Sequence, residues 1–416
     1  AQGQWWQARS GYYRIVGMYG VRGEDFTARA KSFTKGSNGL YAGDYRDIKG
    51  ATQQGVWNPS STRNPQTKTY SVVVRPFSTV SLFYNFSDIF STADANFRDV
   101  RGNPLRPVFG DTEDYGVKLS LLKDRLSVHL TRFETRQFDQ NLQIGGNVRT
   151  WTNEIWTALA TYHSPTGPAP DAAKFAQFNS EVREIWRSYR DDSTRGYELT
   201  ITGRITPSWN VRVSAGKLNT IIAATNNDTD AWVTENWDLW QSYATVRNPA
   251  ISDANNVRYT VAGTASEVRR QLNDERAVIG LRQSNQRQYN VRVNTSYNFR
   301  GGFLKGVTTG LGMRWDSENI LGFARVGTVN PVTPLDTNNP YYGPKVFNVD
   351  ANLGYSRRLF NDRVKWSIYL NVYNLLDEGG LRHRQAVDSG VNHERLITER
   401  YMVAPRSFQV RNTFSF

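Results

Sequence analysis

The chain holds few residues that perform chemistry on their own. Among 416 residues there is no cysteine and there are only four histidines. Disulfides, thiolate nucleophiles and cysteine-ligated metals are therefore excluded. His383 and His393 share one polar stretch, but ten residues apart they lack a metal-ligand spacing. Ser127 and His129 lie two residues apart in an alternating segment, side by side with about 7 Å between their backbones. A hydrolase also needs a carboxylate to orient the imidazole, and none is identifiable in the sequence. Asn226-Asn227-Asp228-Thr229-Asp230 lacks the glycine and distal glutamate of an EF-hand loop, so it reads as a solvated loop. No P-loop, G-x-S-x-G or H-E-x-x-H is present. The expectation is a protein that is not an enzyme and carries no metal or other cofactor.

What remains is binding chemistry. Arg204, Arg212, Arg292 and Arg314, with Lys118 and Lys365, occupy the polar positions of alternating segments. They either solvate an interior or line a cationic path for an anionic ligand. Glu198, Asp316 and Asp350 share the same faces and oppose the second role. Trp232, Trp237, Trp240 and Tyr243 fall within one short span. Such rings either stack on a flat ligand or pack their own loop together. The formal charge of +13 suits nucleic acid, an anionic membrane surface or an anionic ligand. Because the basic residues are spread along strands and form no stripe, nucleic acid is not an expected partner.

The elements that must position these residues are strands. Mean hydropathy is −0.59, and no run approaches the roughly 18 apolar residues of a membrane helix. Period-two alternation dominates instead. Val291, Val293, Thr295, Tyr297 and Phe299 alternate with Arg292, Asn294, Ser296 and Asn298, and Val364 to Val372 repeats the pattern. About twelve segments follow this rule, near 12–22, 66–75, 78–88, 112–122, 125–138, 195–205, 208–220, 286–299, 306–319, 346–358, 363–374 and 406–416. Many exceed the five or six residues of soluble strands and match the nine to eleven of a tilted membrane strand. Tight links such as Arg75-Pro76, Lys123-Asp124 and Thr206-Pro207 alternate with long polar insertions. That asymmetry predicts an all-β transmembrane antiparallel barrel with short periplasmic turns and long extracellular loops. Trp209, Trp315 and Trp366 fall near strand ends, where an interfacial girdle belongs. In one insertion, Phe175, Phe178, Val182, Ile185, Trp186 and Tyr189 predict a helix packed on neighbouring loops.

Four short motifs carry a family resemblance. Asn374-Leu375-Leu376-Asp377 resembles an NLFD-type element. Pro405-Arg406 with Phe408, closing on Phe414-Ser415-Phe416, resembles a terminal barrel strand. Thr194-Arg195-Gly196-Tyr197-Glu198-Leu199 resembles an SRG-x-E-L strand opening, and Asp124-Arg125-Leu126-Ser127 with Phe133 resembles a DGRLS turn. Taken in chain order they resemble the C-terminal part of a TonB-dependent outer-membrane receptor, over roughly 66–416 and the strand near 12–22. The turn at Asp124 lacks the glycine, and Leu376 replaces a phenylalanine.

The resemblance implies that residues 1–416 supply about twelve of twenty-two strands, with the plug domain and first strands absent. AQGQWWQ shows no initiator Met, apolar leader or targeting peptide, which implies a removed signal or a longer parent chain. It further implies a bacterial outer-membrane location and energy-coupled uptake of a scarce nutrient such as a ferric siderophore, cobalamin or carbohydrate. The partners it implies are outer-membrane lipid, a small-molecule ligand, the TonB complex through the missing N-terminal region, and the barrel assembly machinery through Phe416. The alternative is a complete, smaller pore for passive diffusion.

Overall fold

The computed structural model describes residues 2–7, 14–28, 31–32, 34–35, 41–42, 56–57, 61–63, 65–94, 97–143, 146–183, 186–327, 333–361, 363–390 and 392–416. Thirteen strands form one antiparallel sheet in which chain neighbours are also sheet neighbours. They are β1 (Gln2–Gln7), β2 (Arg14–Gly23), β3 (Gln66–Phe77), β4 (Val80–Ser91), β5 (Val108–Leu121), β6 (Leu126–Leu142) and β7 (Ser188–Arg204). The order continues through β8 (Trp209–Thr225), β9 (Tyr289–Asn298), β10 (Val307–Asp316), β11 (Val346–Leu359), β12 (Val364–Tyr373) and β13 (Ser407–Ser415). All twelve segments expected from alternation are strands. β1 is the addition, and the shift in its pairing between Gln4 and Trp6 explains why its period of two is unreadable.

Links at 78–79, 122–125, 205–208, 299–306 and 360–363 are short, whereas 24–65, 92–107, 143–187, 226–288, 317–345 and 374–406 are long. Antiparallel order places all the long ones at one edge of the sheet. The two faces differ as the alternation requires. Val128, Ile201, Val213, Val293, Met313 and Val349 stand opposite one another across six strands. On the other face the matching row reads Ser127, Thr202, Arg212, Asn294, Gly312 and Asp350. The polar face is the concave one.

The apolar face is bounded by rings and cations. Along β9, Tyr289 and Tyr297 flank Val291 and Val293, and along β11 Phe347 and Tyr355 flank Val349 and Leu353. Eight residues at about 3.3 Å each and a tilt of about 40° give roughly 20 Å across the membrane. Trp209 and Trp366 lie at the short-turn end of this band and Trp315 at the other, as a girdle requires.

Register is held on the polar face by rings lying over glycines. A Cβ at Gly196 would sit 2.6 Å from the Phe133 ring, and one at Gly354 would sit 2.4 Å from the Tyr369 ring. Both are directly opposed cross-strand pairs, the aromatic-over-glycine device that pins a curved sheet.

Among the described residues, the one large cluster of buried apolar side chains lies outside the sheet, in the long connections. Four helices, α1 (Gly146–His163), α2 (Ala172–Glu181), α3 (Asn227–Ser242) and α4 (Val261–Arg276), occupy the β6–β7 and β8–β9 connections. Val148, Ile155, Leu159, Val233, Trp240, Val261, Val268 and Leu272 meet there, joined by Val100 and Trp186 from neighbouring segments. The expected helix over 175–189 is shorter than its apolar spacing suggested. Asp171 caps the start of α2 by accepting from the Ala173 and Lys174 N–H groups, and Val182 is already extended. Trp186 still reaches the cluster, but Ser188 and Tyr189 belong to β7, whose pairing to Leu142 and Asn141 overrides the helical period. Ile185 lies outside the described residues.

Candidate ligand path along the inner face and the loop cap

The inner face gathers four of the expected arginines, but in two different states. Arg204 and Arg212 line an open cavity of about 800 Å³ that also takes Thr202, Asn210, Asn294, Asp350, Asn352 and Asn371. Arg204 donates from Nη2 to the Pro207 carbonyl at 3.2 Å, and Arg212 stands between Thr202 and Asn294. Arg292 and Arg314 are paired opposite each other on β9 and β10, and both spend their charge on one carboxylate. Asp316 receives Arg292 Nη2 at 2.8 Å on one oxygen and Arg314 Nε at 2.8 Å on the other. Two guanidiniums on one acid leave a single net charge, so the trio is a weaker cation than its arginines suggest. Lys365 shares a second polar concavity with Ser367, Asn371, Gln409 and Arg411.

The long-loop edge is closed over by a cap, and the tryptophans divide there. Trp240 is fully buried and Trp232 is 6% exposed, their rings in contact at 5.8 Å within the cluster. These two pack their own loops together, so the ligand-stacking role is withdrawn for them. Trp237 is different. It lines a cleft of about 360 Å³ with Arg269, Arg270, Asn273 and Asp274, and the Arg269 guanidinium lies 5.2 Å over its ring. Tyr243 packs on the cluster and bonds His163 Nε2 at 3.0 Å.

Arginines knit the loops into one body. Arg106 reaches Asp139 at 2.8 Å and Asp228 at 2.9 Å and stacks 3.9 Å over the Tyr189 ring. Burial by itself lowers its pKa, but the two carboxylates outweigh this and raise it. Arg101 grips Glu235 with both terminal nitrogens, at 2.6 and 2.7 Å. Arg325 donates its backbone N–H to Asp388 and a guanidinium nitrogen to Asp274, each at 2.8 Å. Asp388 also accepts from the Gly390 N–H at 2.8 Å and meets His393 Nδ1 at 2.9 Å. Burial raises the Asp388 pKa, yet these bonds prevail and hold it below the ordinary carboxylate value. Arg287 is held by the Ser317 and Pro344 carbonyls, and burial pushes its pKa down.

The remaining sequence candidates find structural employment. The Asn226–Asp230 run opens α3: Asp228 and Asp230 sit in its first turn, where carboxylates suit the helix dipole, and Asp230 bridges Arg269 and Arg276. That corrects the solvated-loop reading: the dipole favours acids in a first turn, and the buried Trp232, Val233 and Trp240 hold the rest of the helix in place. His129 leans on Phe83 at 5.1 Å, between Lys118 and Thr200, neither of which can orient an imidazole as a carboxylate does. His163 is bonded on both ring nitrogens. Among the described residues no group of three or more His, Cys, Asp or Glu side chains could hold a metal.

Asn374, from the NLFD-like element, knots the end of β12. It is buried, takes Asp350 Oδ1 on its N–H at 2.8 Å, and donates from Nδ2 to the Ala404 and Glu378 carbonyls. Asp377 accepts the Arg406 N–H at 2.8 Å, so this motif ties β12 to β13 across the intervening loop.

The long strands, the alternating faces and the lopsided connections are now enough to compare with solved structures. The ferric-catecholate import receptor Fiu of E. coli K12 matches at 14% identity with a TM-score of 0.50, over 97% of this chain and 42% of its own. The siderophore receptor PiuA of Acinetobacter baumannii gives 14%, a TM-score of 0.51, and coverage of 97% and 41%. BauA of the same organism, the ferric preacinetobactin receptor, gives 9%, 0.51, and 98% and 41%. The chain shares the β-barrel fold of these receptors. It spans about two fifths of the length of the solved chains it matches. No family model matches it, and no curated protein matches it significantly.

Proposed function

We propose that this chain is the rear portion of an outer-membrane receptor that imports a scarce nutrient, a ferric siderophore first among the candidates, by TonB-dependent coupling. The observation that carries the reading is the inner face itself. It presents Arg204 and Arg212 to an open polar cavity at the short-turn end, while at the opposite end the β6–β7 and β8–β9 connections pack into a cap. A cap with its own core suits capture and gating, whereas passive pores rely on an open mouth. The siderophores named for Fiu, PiuA and BauA support this choice of cargo over cobalamin or carbohydrate. The smaller self-closing pore has no support: among the described residues β1 and β13 each pair on one side only, and lipid does not tolerate unpaired strand edges. Strands outside this chain complete the barrel, with a plug and the TonB contact, and Phe416 serves the assembly machinery.

The test is uptake of radiolabelled iron from ferric catecholate and hydroxamate chelates by cells carrying the full-length receptor. Arg204→Gln with Arg212→Gln should reduce uptake of an anionic chelate by about tenfold, the loss of roughly one charge-assisted contact. Unchanged uptake from a fully assembled barrel would remove these two arginines from the path. Arg292→Gln should have a smaller effect, because Asp316 already holds that charge.

A further inference from the structure

At the short-turn end the links 299–306 and 360–363 lie side by side, because β10 pairs with β11 from Val307 and Tyr355 onward. The Ser356 N–H donates to the Gly306 carbonyl at 2.9 Å and clasps the two ends together. Each link carries a phenylalanine. Phe303 is 96% exposed and Phe360 74%. Phe360 also holds a φ of 53°, the left-handed region that a bulky side chain rarely enters. An apolar ring kept in water on a strained backbone points to a use outside the fold.

Free cations surround both rings. Residues 299–306 and 357–365 hold Arg300, Lys305, Arg357, Arg358, Arg363 and Lys365, all exposed. The same stretches contain a single acid in sequence, Asp362, which lies outside the described residues. Among the described residues none of these cations has an acidic partner. The cap is the reverse, since Arg101, Arg106, Arg269 and Arg325 each hold a carboxylate there.

Position argues against lipid as the counterpart. The girdle at this end includes Tyr355 and Trp366, whose rings lie 5.9 Å apart. Phe360 comes five residues after Tyr355, roughly 12 Å further along the membrane normal for a tilted strand. The headgroup layer is only about 5–7 Å deep, so the rings stand in the periplasm. The two links are separated by two interstrand spacings, about 10 Å, and the rings form no continuous apolar patch of the kind that centres a protein interface. Separated rings suit flat sugars, whose C–H faces pack on them, and free guanidiniums suit carboxylates.

We propose that this edge binds the cell-wall peptidoglycan, with Phe303 and Phe360 stacking on sugars of one glycan strand. Arg300, Lys305, Arg358 and Arg363 meet the carboxylates of its stem peptides. The contact tethers the receptor to the wall beneath the membrane. It rests on the outer-membrane reading above, through the periplasmic side of the short turns, and on no property of the ligand path.

The experiment sediments the full-length receptor in detergent with protein-free sacculi, either native or with their carboxylates amidated, and with chitin as a neutral glycan. The parent should bind native sacculi at least about tenfold more tightly than amidated sacculi or chitin. Equal binding overturns the site, and that comparison needs no variant to assemble. Phe303→Ala with Phe360→Ala should weaken binding about tenfold, and Arg300→Gln with Arg363→Gln by a similar factor. Arg101→Gln in the cap should leave it unchanged. A ring pair that binds like the parent overturns the proposal. So does a receptor that leaves sacculi for phosphatidylglycerol vesicles whether or not the rings are present. Cell fractionation and iron uptake separate the two readings. A receptor recovered from the outer membrane that fails to sediment loses only the tether, and lost uptake with sedimentation intact removes only the import role.

Discussion

Leu130 on β6 is 44% exposed while Leu272 on α4 is completely buried, and the contrast extends to everything around them. In the sheet, large apolar side chains point away from the protein and polar ones line its interior. In the cap, apolar side chains meet at a centre and arginines patrol the surface, as in any water-soluble domain. One chain thus obeys two solvents, and each region is held by what its own solvent leaves scarce. Hydrocarbon offers no hydrogen bonds, so the sheet depends on an unbroken ladder and on register. Water offers them freely, so the cap depends on burial.

The contrast is broken or sharpened by perturbing one region while watching the other. The largest effect is expected from Gly196→Val, which drives a branched side chain into the Phe133 ring. Barrel yield should collapse, seen as loss of the heat-modifiable band on semi-native gels; a normal yield would show that register does not depend on this contact. Trp240→Ala should cost the cap about 3–5 kcal/mol by opening a cavity. Limited proteolysis should then cut within 143–187 and 226–288 while the barrel band persists. Loss of both together would show that cap and barrel fold as one unit.

Asp316→Asn should lower barrel stability by about 1.5–3 kcal/mol through two weakened charge-assisted bonds, read from thermal unfolding in detergent. A gentler effect comes from pH. Asp388 has a depressed pKa in the folded state, so its contribution is present above the unfolded carboxylate value and disappears as pH falls through the lower folded value. Hydrogen exchange in the hairpin of Gly380–Asp388 and Arg395–Val403 should therefore quicken only below about pH 4; faster exchange already near pH 6 would show that the Asp388 carboxylate does not hold this hairpin. Arg101→Ala should change little, because its partner Glu235 is well exposed and such pairs contribute little.

How much of this could be read in advance follows from the same contrast. Strands facing lipid on one side and water on the other leave a period-two record, so Val291 to Phe299 and Val364 to Val372 announced themselves. The cap left a fainter one. Val261, Ala265, Val268 and Leu272 have helical spacing throughout and are all buried, a signal present but diluted among arginines and acids. Trp232 and Trp240 gave no sign of their burial, because an aromatic cluster reads the same whether it packs inward or awaits a ligand. The Arg292–Asp316–Arg314 trio was visible as residues on one face, but its pairing depends on side-chain geometry and on the β9–β10 register.

Phe133 over Gly196 also connects two of the motifs that first drew notice, since one lies on the strand of the Asp124 turn and the other in Thr194–Leu199. A slip of one residue would turn the ring toward lipid. A slip of two would keep it inside but set it against Thr194 or Glu198, where a side chain already occupies the space. The pair works as a detent: a strand sliding along its neighbour clicks at one position and is pushed off the adjacent ones. With Tyr369 and Gly354 providing another five strands away, the sheet can be proofread locally as each hairpin is laid down, before any barrel exists to be closed.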